Sequence, residues 1–123
     1  MPHILAIAVG GAAGSVLRYL VGRALADSVV SFPWGTLLIN VLGCGLLGLF
    51  IGLADSRLPV SPEVRSLVSV GLLGGFTTFS TFAHQTAALW QSGRVLAAAG
   101  NVAISVLCGL IAAWGGWRLA LAL

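Results

Sequence analysis

Four apolar runs, at residues 4–24, 34–54, 67–89 and 95–121, use up nearly the whole of a 123-residue chain. A helix needs about 20 predominantly apolar residues to cross a bilayer core, and each run meets that length. The chain is 59% hydrophobic and only 7% charged, against roughly 25% charged in a typical soluble domain. Six arginines and three acids cannot cover the surface that four such runs leave outside, so lipid must cover it. The expectation is a single four-span unit over residues 1–123, all α-helical, multi-pass and embedded in the lipid bilayer.

The connections carry the breakers and most of the charge: 27–33 with Asp27 and Pro33, 55–65 with Pro59 and Pro62, and 91–94 with Gly93. None has room for an extramembrane domain. Trp34, Trp90, Trp114 and Trp117 fall near run ends, where indole rings anchor at the interface. The N-terminus has no basic region before its apolar stretch, so the first run is expected to be retained rather than cleaved. Cys44 and Cys108 sit inside apolar runs and read as small packing residues. The net charge of +3 comes from singly scattered arginines, which excludes a nucleic-acid footprint.

Orientation is weakly coded. An even number of spans puts Arg57, Arg65 and Arg118 on one side and Arg23 and Arg94 on the other, with Arg18 towards the second. This bias is too small to fix the topology. Insertion in both directions would let two copies form an antiparallel homodimer, giving the inverted symmetry that larger transporters carry in one chain. A single orientation set by other signals is the alternative.

Polar residues inside the runs are the candidates for function, because lipid makes them costly. Gly10 and Gly14 form a GxxxG pair with Arg18 one turn on, and Gly48 and Gly52 form another; such pairs let helices approach closely. Arg18 reads as a structural anchor or a snorkelling cation. Thr36, Asn40 and Gly43 share one helix face, as do Asn101, Ser105 and Gly109. Each stripe is either a packed polar seam or one wall of a narrow polar path.

The third run is interrupted by Gly74, Gly75, Phe76, Thr77, Thr78, Phe79, Ser80, Thr81 and Phe82. Paired glycines weaken the helix, and hydroxyls can satisfy freed backbone groups, so local unwinding is expected at 74–78. In lipid such a break must face protein or water. Its carbonyls suit a cation, and the edges of Phe79 and Phe82 carry the positive part of the ring quadrupole.

These residues resemble the Fluc (CrcB) family of small bacterial fluoride channels. The resemblance rests on Gly10, Gly11, Gly14 and Arg18; on Gly35, Thr36, Asn40 and Gly43; on the run from Gly74 to Phe82; and on Ser105. It implies an antiparallel, dual-topology homodimer in the inner membrane, with two pores that pass fluoride passively and exclude chloride. Phe79 and Phe82 then resemble the pore-lining phenylalanines, with Asn40 as a nearby donor and Ser80, Thr81 and Ser105 along the polar track. Arg18 and Thr36 take structural roles. The carbonyls of Gly74 and Thr77 resemble those that hold a structural sodium ion (Na+) between two subunits. Asn101 and Gly109 stand where relatives can carry tyrosine and serine, and Gln85 where they can carry glutamate.

Three other classes fare worse. A small proton-coupled multidrug exporter needs a carboxylate within a span, whereas Asp27, Asp55 and Glu63 all lie in connections. A passive structural subunit would explain the glycines but not the interrupted third run. An enzyme would need a nucleophile with a base, or a metal cluster, which the few ionisable residues do not form. His3 lies at the terminus and His84 reads as interfacial.

Overall fold

The computed structural model describes residues 2–26 and 32–123. Met1 and the 27–31 part of the first connection, including Asp27, lie outside the described residues. The described chain is helical: α1 (Pro2–Ala26), α2 (Trp34–Ser56), α3 (residues 62–76), α4 (Phe79–Gln91) and α5 (Val95–Ala122). α3 begins as an α-helical turn, Pro62–Arg65, widens into a π-helical stretch, Ser66–Leu73, and ends in the turn Gly74–Phe76. Taking α3 and α4 as one interrupted element, four helical segments are long and apolar enough to cross a membrane, with bounds a few residues wider than the apolar runs.

The exterior is far more apolar than that of a soluble bundle. Leu5, Leu96, Leu110 and Ile111 are largely exposed, while the polar Asn101 is 1% exposed and Thr78 7%. Lipid accepts that exterior and water would not.

Two helix pairs make the body: α1 lies along α3, and α2 lies along α5. Glycine sets both approaches. A Cβ on Gly75 would stand 2.8 Å from the Gly11 carbonyl oxygen and 3.1 Å from its Cα, so two backbones meet there with no side chain between them. In the other pair, Gly52 faces Trp117 and Ala120. Without a hydrophobic effect between helices in lipid, contacts of this kind supply the packing.

At one end of the bundle, the connection after α2 ties the helix ends together. Arg65 pairs with Asp55 at 2.7 Å, His3 Nε2 lies 3.7 Å from Glu63, and Arg57 donates to the Leu121 carbonyl at 3.1 Å. Both termini therefore share an end with residues 55–65, as an even span count requires. Arg118 stacks on Trp114, 5.6 Å from the ring centroid, and all four tryptophans are exposed.

A broken helix between two cavities

The interruption is shorter and later than the glycines suggest. Gly74 and Gly75 remain helical; Thr77 (φ −80°, ψ 159°) and Thr78 (φ −151°, ψ 110°) alone are extended. The expected unwinding over 74–78 is thus corrected to two threonines. Gly75 serves the close approach to α1 instead. Thr77 closes α3 by directing its N–H and its hydroxyl to the Leu73 carbonyl, both at 3.0 Å. Thr78 opens α4 as its N-cap, its Oγ1 accepting from the Thr81 N–H at 3.3 Å and donating to Thr81 Oγ1 at 2.9 Å.

Asn40 of α2 makes the break affordable. Its Nδ2 donates to the Thr78 carbonyl at 3.0 Å, and its Oδ1 accepts from the Thr78 N–H at 2.8 Å. One amide side chain thereby replaces both backbone partners that Thr78 lost, where an unpaired peptide group in lipid would cost several kcal/mol. Gly43, one turn on, admits the Thr77 methyl. Arg18 reaches the same point from α1, its Nη1 donating to the Thr77 carbonyl at 3.4 Å. It is turned inward to the break rather than extended away along the span.

Because Asn40 takes the Thr78 N–H, the Gly74 carbonyl loses the donor that a continuing helix would give it. The last carbonyls of α3, at the negative end of its dipole, thus stand beside the first N–H groups of α4, at the positive end of the next. Acceptors suited to a cation and donors suited to an anion lie within a few residues of each other.

Two cavities flank Thr78, which lines both. The first, of about 500 Å³, is bordered by Ser15, Arg18, Tyr19, Thr36, Thr81 and Gln85. Gln85 Oε1 is buried there without a hydrogen-bond partner among the described residues. The second, of about 300 Å³, gathers Asn40, Gly74, Thr77, Phe79, Phe82 and Ser105. None of the residues lining it carries a charge. The Phe79 and Phe82 rings lie 5.5 Å apart at 48°, and Phe79 is 79% exposed. Ser80 lines neither cavity; its hydroxyl is 3.4 Å from Thr78 Oγ1.

The two polar stripes divide accordingly. Thr36 borders the arginine cavity, whereas Asn40 and Gly43 border the phenylalanine cavity. In the other stripe only Ser105 borders the second cavity; Asn101 is buried, its Nδ2 donating to Thr86 Oγ1 at 2.8 Å, and Gly109 packs near Cys44 Sγ. Thr86 was not singled out in the sequence. Its one signal is the spacing of four from Phe82, whose carbonyl accepts its hydroxyl at 2.7 Å.

Among the described residues, no cluster of three His, Cys, Asp or Glu side chains could hold a metal ion. The family model for CrcB-like protein, Camphor Resistance (CrcB), matches residues 5–117. Among similar proteins, the "Fluoride-specific ion channel FluC" of Geobacter sulfurreducens is 46% identical over 117 residues, covering 94% of each chain. That of Rhizobium etli is 44% identical over 124 residues, covering 100% of this chain and 99% of its own. That of Chloroflexus aurantiacus is 48% identical over 113 residues, covering 91% and 90%.

Proposed function

The chain belongs to the CrcB family, and from that membership we propose that it is a fluoride channel, which exports fluoride passively across the bacterial inner membrane and so limits fluoride toxicity. The observation that carries the proposal is identity of 44–48% over nearly full length to proteins named as fluoride-specific channels. Those relatives are ion channels and not enzymes.

The chemistry of the two cavities supports this reading. Fluoride holds its water strongly, so a path must replace that shell with close donors and positive dipole edges. Arg18 supplies field in the larger cavity, with its Nη1 3.4 Å from the Thr77 carbonyl oxygen. A charge at the cavity wall concentrates anions. Beyond Thr78 the walls offer an amide, hydroxyls and phenyl edges, with no fixed charge to trap the ion. In this reading Asn40, Phe79, Phe82 and Ser105 line the narrow part, with Ser80 and Thr81 at the start of α4 beside it.

The assembly belongs to the same proposal: an antiparallel, dual-topology homodimer with two pores. The near balance of arginines between the two ends supports it. The carbonyls of Gly74 and Thr77 fit a hard cation, since they end a helix inside the span and Gly74 is exposed. One chain supplies too few oxygens for a sodium shell, and a second copy would double them. A bound sodium would fix the two breaks to each other. Arg18 Nη1, at 3.4 Å, makes only a weak bond to Thr77 and leaves that oxygen a lone pair.

The test is purified protein in liposomes loaded with fluoride or chloride, efflux being followed by an ion electrode under a potassium gradient with valinomycin. Fluoride should leave on valinomycin addition and chloride should stay. Retention of fluoride would overturn the channel reading.

A further inference from the structure

A chain of three hydrogen bonds, away from Asn40 and Arg18, links the phenylalanine cavity to a fully buried amide. Ser105 Oγ donates to Asn101 Oδ1 at 3.4 Å, Asn101 Nδ2 donates to Thr86 Oγ1 at 2.8 Å, and Thr86 Oγ1 donates to the Phe82 carbonyl at 2.7 Å. We infer that Thr86 and Asn101 are positioning residues of the permeation path. They clamp α4 to α5 at Phe82 and hold the Ser105 hydroxyl in a resting direction from which it turns to a passing anion. The inference rests on the channel reading above.

The direction of donation carries the argument. Thr86 has one hydroxyl hydrogen and spends it on Phe82, so its oxygen is left to accept from Asn101. Having donated to Thr86, Asn101 presents its Oδ1 to Ser105, and the Ser105 hydrogen points away from the cavity that this residue lines. The bonds differ in strength. At 2.7 and 2.8 Å the two that brace Phe82 are firm; at 3.4 Å the one that holds Ser105 is long for a hydroxyl donor and weak. An anion in the cavity can therefore recruit the Ser105 hydrogen without disturbing the brace. At 1% exposure Asn101 cannot itself meet an ion. Asn101 works through Ser105 and Phe82.

The experiment compares fluoride efflux, per reconstituted protein, for the wild type, Thr86→Val, Thr86→Ser, Asn101→Leu and the double variant Thr86→Val/Asn101→Leu. Thr86→Val keeps the volume and removes both bonds of the hydroxyl, and fluoride efflux should slow about tenfold. Thr86→Ser retains the hydroxyl and should restore the wild-type rate. The double variant should be no slower than the slower single variant, because both break one chain. Wild-type efflux in Thr86→Val, or additive losses in the double variant, overturns the inference while leaving the channel reading intact. Absence of wild-type efflux overturns both. If Thr86→Val does not fold, Thr86→Ala takes its place, and failure of both assigns the hydroxyl to the fold alone and overturns the inference.

Discussion

The two halves of the interrupted third span are held by opposite means. α3 meets α1 through bare backbone, glycine on glycine, and Gly75 leaves no room for a methyl group beside Gly11. α4 meets α5 through side chains that hydrogen-bond, Thr86 to Asn101, and exposes Phe79 in its first turn. Within the apolar part of the first half, shape makes the fit, and its ion pairs lie at the exposed start of α3. The second half is fixed by directional bonds, of which Asn101 to Thr86 at 2.8 Å is a firm one. The break between them lets a glycine-packed half and a hydrogen-bonded half occur in a single span.

The contrast is broken most severely at the glycine seam. Gly75→Leu should abolish the folded protein, since its added atoms meet backbone that cannot yield, and overpacking of this kind costs upwards of ~3 kcal/mol. Loss of the monodisperse peak in size-exclusion chromatography would show it. Gly100→Leu, with nothing within 4 Å of its added Cβ, is the control and should retain the peak.

At the junction of the two halves, Asn40→Leu leaves the Thr78 N–H and carbonyl unpaired. The expected loss is about 2 to 6 kcal/mol, at roughly 1–3 per orphaned group. A lowered melting temperature in detergent and faster hydrogen exchange at the Thr78 amide would both report it. An unchanged exchange rate would mean that the break is satisfied by something other than Asn40.

The smallest effect is expected at the exposed start of the first half. Asp55→Asn removes an exposed ion pair with Arg65, and stability should change by no more than about 0.5 kcal/mol. A larger change in the melting temperature would mean that the end of the bundle, rather than the span, sets stability.

Much of the site is legible in the sequence because lipid penalises polar groups so heavily that any within a run announces a purpose. Arg18, Asn40, the Thr/Ser run and Ser105 stand out for that reason. Their partners do not. Asn40 reads as a donor towards the phenylalanines, but it is the choice of Thr78, 38 residues away, that makes it the clamp of the break. Gly74 and Gly75 read as the cause of unwinding, yet a glycine that weakens a helix and one that admits a neighbouring helix look alike until the neighbour is known. Thr86 was invisible, because a threonine bonded to the carbonyl four residues back is ordinary in an apolar helix. Only Asn101 across the interface gives it a role.

What the sequence by itself determined is the solvent, the number of spans and the span that is interrupted. Those follow from composition and run length, which are properties of the chain one segment at a time. Tertiary structure decided that the interruption is Thr77 and Thr78 and that α1 rather than α2 packs on α3. It also decided that one stripe is split between two cavities while only Ser105 of the other borders the smaller one. Hydrogen bonds and close contacts are pairwise, and a pair exists only once two distant segments are brought together.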